Sequence, residues 1–175
     1  MTQSRSDTSQ NTASRKKVSK PLPRTIELTS SAFADGGRIP DRHTAFGEDV
    51  SPTLAWGEVP EATVSLALIC DDPDSRSGSF VHWLLWEIAP DVRILPENVD
   101  DTTEGRGLVA GENGFGSIGY AGPEPPPGKP HRYVFRLKAL DTRLELPKGA
   151  SRDDFERAID GHILAEGVLI GTYGR

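Results

Sequence analysis

The stretch that decides the reading runs from Cys70 to Ile88: Cys-Asp-Asp-Pro-Asp-Ser-Arg-Ser-Gly-Ser-Phe-Val-His-Trp-Leu-Leu-Trp-Glu-Ile. Just before it, the apolar run Val64 to Ile69 drives into three carboxylates, Asp71, Asp72 and Asp74, with Pro73 among them. Thr63 to Cys70 is nearly all apolar, too short for a helix and stopped by turn residues, the pattern of a buried strand. After the turn, Val81 to Ile88 is a second strand. Strict alternation puts His82, Leu84, Trp86 and Ile88 on one face and Val81, Trp83, Leu85 and Glu87 on the other. Both faces are mostly apolar, as in a central strand. Acids and an imidazole therefore meet at one end of two neighbouring strands.

A third strand, His131 to Leu140, supplies more polar groups. His131, Tyr133, Phe135, Leu137 and Ala139 share one face; Arg132, Val134, Arg136, Lys138 and Leu140 share the other. His131 and Tyr133 thus project side by side, about 7 Å apart by strand geometry. Before this strand lies Tyr-Ala-Gly-Pro-Glu-Pro-Pro-Pro-Gly-Lys-Pro, Tyr120 to Pro130. So much proline fixes φ and removes N–H donors, which gives a stiff loop. Upstream of it, Arg106 to Tyr120 is glycine-rich, and Asp91 to Gly107 is a long polar connection.

The rest of the chain fills in around these strands. Ile26, Leu28 and Phe33 indicate a short strand, and Asp35-Gly36-Gly37 a turn. Arg38 to Glu58 is loop-like, with Trp56 as a packing residue at its end. Ser151 to Asp160 is the one clear helix. Ser151 can cap it, Asp153 and Asp154 suit its first turn, Phe155, Ala158 and Ile159 form its apolar stripe, and Gly161 suits the position after its end. Gly167 to Tyr173 closes the chain as a strand. One helix among several strands gives a mainly β fold, a two-sheet sandwich with short peripheral helices.

Composition narrows the function classes. The 175 residues suit one domain, expected over 23–175, after a polar, basic and disordered tail over 1–22. That tail reads either as a solvated segment or as a basic arm for phosphates or anionic lipid. The net charge of −6 argues against a general nucleic-acid binder. The one cysteine, Cys70, has no partner for an internal disulfide, which fits a reducing compartment. The sequence shows no membrane-spanning run and no signal-peptide h-region, so a cytoplasmic protein is expected.

Asp72, Asp74, His82, His131 and Tyr133 form the candidate set. Two imidazoles and a phenol can donate to an oxyanion, and a carboxylate neighbour can orient and charge an imidazole. Asp72 is placed for that role, with His82 as a donor. The competing reading of each histidine is a hydrogen-bonded structural residue. Other chemistries fit less well. Zinc needs a further soft or imidazole ligand, and His43 and His162 lack ligand spacing. Pro73 interrupts any calcium loop. Ser117 follows Phe115 where a nucleophile elbow needs Gly. No phosphate loop or dinucleotide fingerprint is present. No metal and no cofactor is expected.

These motifs resemble one family. Asp71-Asp72-Pro73-Asp74, Phe80-Val81-His82-Trp83, and Gly119-Tyr120-Ala121-Gly122-Pro123 running to His131-Arg132-Tyr133 are similar to the phosphatidylethanolamine-binding protein family, in its bacterial Raf-kinase-inhibitor-like branch. Gly161 to Glu166 and Gly171-Thr172-Tyr173 also resemble that branch. The resemblance covers roughly residues 26 to 175. It implies a Greek-key antiparallel sandwich and a pocket for a phosphate headgroup, another small anion or a phosphorylated peptide. Asp72, His82, His131 and Tyr133 would form the pocket, with Asp74, Gly122, Pro125 and Pro126 at its rim. Arg132 would brace the sheet or an aspartate. The resemblance also implies a binding protein that regulates or inhibits a kinase or protease, with homodimerisation as an option. The rival reading is a hydrolase or lyase using Asp72 and His82 as an acid–base pair. Two departures stand out: Ser75-Arg76 where the family has Ala-Pro, and Glu124 where the branch has Cys.

Overall fold

The computed structural model describes residues 24–99 and 107–175. The expected tail over 1–22 lies outside the described residues, as does most of the second half of the 91–107 connection. Nine strands and one α-helix follow in order: β1 (Arg24–Thr25), β2 (Leu28–Thr29), β3 (Leu54–Trp56), β4 (Ser65–Asp72), β5 (Phe80–Ile88), β6 (Ile94–Leu95), β7 (Val109–Ala110), β8 (His131–Leu140), α1 (Arg152–Ile159) and β9 (Ile163–Tyr173). A single 3-10 turn spans Asp41–His43.

The large sheet has the order β1-β9-β8-β4-β5-β7, and a small sheet the order β2-β3-β6. Within the large sheet, β4, β5 and β7 neighbour one another in sequence order, and β8 returns to lie beside β4. All of these pairs are antiparallel. That is the Greek-key order. The exception to antiparallel pairing is β1, which runs parallel to β9 at the sheet edge.

Both faces of the large sheet are covered, which explains why β4 is buried at every position. One face packs on the small sheet, joining Leu66, Leu68, Trp83, Phe135 and Leu137 to Leu28, Leu54, Trp56 and Leu95. The opposite face, with Ala67, Ile69, Leu84 and Trp86, is covered by Phe155 and Ile159 of α1 and by Leu144. Helix α1 is short and takes its stability from this packing and from its cap. Ser151 Oγ accepts from the Asp154 backbone N–H at 3.2 Å, and Gly161 follows the helix with φ +82°. These are the capping residues expected from the sequence.

Two boundaries and the alternation of one strand differ from the sequence reading, each for a physical reason. Strand β4 extends through Asp71 and Asp72 instead of ending at Cys70. Both acids keep their ladder pairing because each carboxylate finds donors on its own face. Strand β9 begins at Ile163, four residues before Gly167, because it pairs with the whole of β8. In β5 the alternation breaks twice. Cys70 faces Trp83 while Asp71 faces Val81, so His82 is an extra residue in the ladder. A second irregularity falls near Glu87, which has φ +59°. β-bulges re-aim side chains. As a result His82 meets Tyr133 on the small-sheet face, not Leu84 and Trp86, and Ile88 joins Leu85.

Candidate ligand pocket

The ends of β4, β5 and β8 open into a cavity of about 230 Å³. Asp72, His82, His131 and Tyr133 line it, together with Pro125 and Pro126 from the proline-rich loop. Asp74 and Gly122 do not line it. A cavity of this size is smaller than the range typical of drug-like ligands and fits a headgroup.

Asp72 is the centre of the polar wall. It is 4 % exposed. Its Oδ2 accepts from His131 Nδ1 at 2.7 Å, and its Oδ1 accepts from the Asp74 backbone N–H at 2.8 Å. The second bond is an Asx turn that folds the chain sharply after β4. Its imidazole partner is thus His131, across the β4–β8 pair, and not His82. A carboxylate on Nδ1 fixes the tautomer and aims the other nitrogen. The hydroxyl of Tyr133 stays protonated, because burial and the nearby Asp72 charge push its pKa up. It remains a donor.

His82 has different company. Its Nδ1 donates to the Ala121 carbonyl at 2.7 Å. The Ala121 N–H in turn donates to the His82 carbonyl at 2.9 Å, so the proline-rich loop is anchored to β5 at this residue. The rings of Phe80, Phe115 and Tyr133 surround the imidazole, with centroids 5.2, 5.9 and 5.1 Å away. Burial in that setting lowers the His82 pKa, and the Ala121 carbonyl and Asp72 only partly oppose it. The neutral ring is favoured, with its Nδ1 proton spent on the Ala121 carbonyl.

Close packing positions the loops. A Cβ on Gly114 would lie 2.4 Å from Phe80 Cζ, so a glycine is needed for this loop to lie on the Phe80 ring and bring Phe115 to the cavity. At Gly122 a Cβ would lie 2.4 Å from the His43 carbonyl oxygen. The Gly122 N–H donates to Asp49 Oδ1 at 2.7 Å, and Tyr120 Oη donates to the His43 carbonyl at 2.6 Å. Gly122 therefore holds the loop from beneath. Asp74 is turned to the outside, where Arg132 binds it through Nε, Nη2 and the backbone N–H, each at 2.9 Å. These bonds hold the Asp74 carboxyl well below its usual range. Arg132 bracing an aspartate agrees with the sequence reading.

The candidate set from sequence omitted several lining residues. Phe80 and Phe115 line the cavity, and so do Ser75, Arg76 and Glu124. Ser75-Arg76 and Glu124 are the positions that the sequence reading singled out as departures from the family it resembles. Arg76 is exposed at the mouth and makes no ion pair among the described residues. Glu124 faces the cavity from the proline-rich loop, so the mouth carries one charge of each sign. No local signal marks Phe80 or Phe115. Their place depends on the bulge at His82 and on Gly114.

A Greek-key sandwich with a small histidine-lined pocket at one sheet end is the class that these features define. Residues 29–174 match the family described as phosphatidylethanolamine-binding protein, and the chain belongs to that family. It is 52 % identical over 153 residues to the UPF0098 protein of Methanothermobacter thermautotrophicus, covering 86 % of this chain and 99 % of that protein. Two solved structures share the fold. The Chlamydia trachomatis protein CT736, described as a homolog of the same family, superposes with a TM-score of 0.79 at 37 % identity, over 87 % of this chain and 99 % of that one. YbcL of Escherichia coli superposes with a TM-score of 0.80 at 28 % identity, over 86 % and 98 %.

Proposed function

We propose that this protein is a binding module whose pocket captures a phosphate group or another small anion. One observation carries the reading. A cavity of headgroup size is lined by an imidazole oriented on a buried carboxylate, by a phenol that stays protonated and by the guanidinium of Arg76, which makes no ion pair among the described residues. His131, held by Asp72, donates through both nitrogens once protonated, which suits an anionic oxygen. Arg76 adds a mobile cation at the entrance. Through this site the protein regulates or inhibits a protein partner, a kinase or a protease, in the cytoplasm. The family's description, which names a phosphate-containing lipid, supports the ligand class. The kinase, the protease and homodimerisation rest on the family resemblance.

Binding is favoured over the acid–base alternative because Asp72 is bonded to His131 and His82 to a backbone carbonyl, with no bond between the two. Titration calorimetry with inorganic phosphate tests the binding reading. Binding is expected to weaken by about tenfold or more, roughly 1.4 kcal/mol, in His131→Ala. Equal affinity in the wild type and His131→Ala would contradict the assignment.

A further inference from the structure

Given an anion pocket as proposed above, its two imidazoles make opposite demands on the ligand. We propose that the pocket selects a phosphate monoester held as its monoprotonated anion, with His82 Nε2 accepting the P–O–H proton. A phosphodiester, which has no such proton, is then the poorer ligand.

The argument rests on what each ring has left to offer. His131 is backed by a carboxylate. Its Nδ1 is committed to Asp72, and its Nε2 can carry a proton toward an anionic oxygen. His82 is backed by a neutral carbonyl. Its Nδ1 proton is committed to Ala121, and the return bond from the Ala121 N–H fixes that geometry from both ends. The ring is 3 % exposed, yet it lines the cavity. In the neutral imidazole the nitrogen without a proton is an acceptor, so Nε2 is what His82 presents. The rings of Phe80, Phe115 and Tyr133 surround the imidazole and give it an apolar setting. Because Nδ1 is spent on Ala121, Nε2 is the ring atom left to meet a ligand in the cavity, and a ligand that brings a donor matches it where one that brings only acceptors does not.

The charges around the ring point the same way. Asp72 and Glu124 line the cavity, Asp49 lies close enough to act on His82, and the Arg76 guanidinium and the His131 imidazole face them; Tyr133 adds a neutral hydroxyl. A doubly charged ligand would meet carboxylates on two sides. A monoester that keeps one proton carries a single negative charge, accepts from His131 and Arg76, and donates to His82. The second ionisation of a phosphate monoester lies near pH 6, so keeping that proton near neutral pH asks little of the site. A phosphate on a small molecule and one on a phosphorylated side chain fit alike, since the shared chemistry is the monoester.

The test uses the full chain and defined probes. Calorimetry at about pH 7 compares methyl phosphate and a phosphoserine peptide, both monoesters, with dimethyl phosphate and glycerophosphoethanolamine, both diesters. At least one monoester should bind about tenfold or more tightly than either diester. The ³¹P shift of bound methyl phosphate should titrate about one pH unit or more above that of the free ester. Diesters binding as tightly as both monoesters would overturn the monoester assignment while leaving the anion pocket standing. A bound phosphate that titrates at or below the free value would do the same. Failure of all four probes and of inorganic phosphate to bind would overturn both readings. In His82→Phe, which keeps an aromatic ring in the box but removes the acceptor, the monoester preference should shrink to about twofold. An unchanged preference in a folded variant counts against the proposal, and if the variant does not fold, the wild-type ³¹P titration decides.

Discussion

Asp71 and Asp72 are neighbours in one strand and differ in almost everything that matters. Asp71 points to the α1 face, where Ser79 and Arg136 bind its two oxygens and Arg152 approaches to 3.7 Å. Asp72 points to the other face, where it holds His131 at the wall of an open cavity. The first is a closed ion cluster under a helix. The second also satisfies its own oxygens, but the imidazole that it orients faces space. Burial and charge alone do not separate structural from functional carboxylates here. What separates them is whether the partner has a nitrogen left to offer.

The comparison can be broken in several ways. The largest effect is expected at Asp71. Asp71→Ala leaves Arg136 and Ser79 without their shared acceptor, and removing one side of a buried pair is strongly destabilising. Arg136 and Arg152 are each about a third exposed and can rehydrate, so a loss of about 2–3 kcal/mol in chemical denaturation is expected. Phosphate affinity should change by less than about twofold. A pocket that fails while stability holds would reverse the two roles.

A second effect concerns acid. The native pKa of His82 lies below its ordinary value of 6.5, because the ring is buried. Below that value the unfolded chain binds a proton that the folded chain resists, so stability falls as pH drops from 6.5 toward the native value. Denaturation midpoints should therefore fall over that window, and less steeply in His82→Phe. Asp74 acts in a separate, lower window. Its stabilisation by Arg132 is present above the ordinary 3.8 and is lost as pH falls below it. An identical slope near pH 6 in His82→Phe would argue that His82 charges freely in the folded protein.

The smallest effect is expected at Arg132. The pair with Asp74 is well aligned, but Arg132 is 56 % exposed. Arg132→Ala should cost about 1 kcal/mol or less. Because neither residue lines the cavity, phosphate affinity should be unchanged. A clear loss of binding would place Asp74 in the site after all.

Much of the fold could be read from sequence because its strongest signals are local. Strand β8 alternates over His131–Leu140, β4 carries the apolar run Leu66–Cys70, and α1 carries its cap, stripe and terminal glycine within a dozen residues. The two-residue strands β6 and β7 left no comparable trace, since pairing partners far along the chain define them. The site was legible as a set of residue types but not as a set of pairs. His82 sits on a bulge, and an alternation rule cannot see an extra residue. The sequence left open which imidazole Asp72 orients, and only the acid–base alternative paired it with His82; sheet pairing brings it His131, 59 residues away. Phe80 and Phe115 read as ordinary apolar residues until loop packing brings them to His82.

The central claim is that His82 and His131 form one anion pocket, and the chain carries its own controls. It has four histidines. His43 is buried against Val50, and His162 pairs with Asp141 at the far end of β8, roughly 30 Å from His131 by strand rise. The most direct measurement follows the imidazole NMR signals of all four while inorganic phosphate is added. The signals of His82 and His131 should move together with one saturation curve, and those of His43 and His162 should stay in place. Phosphate that moves neither pocket signal, or that moves His162 instead, would contradict the account.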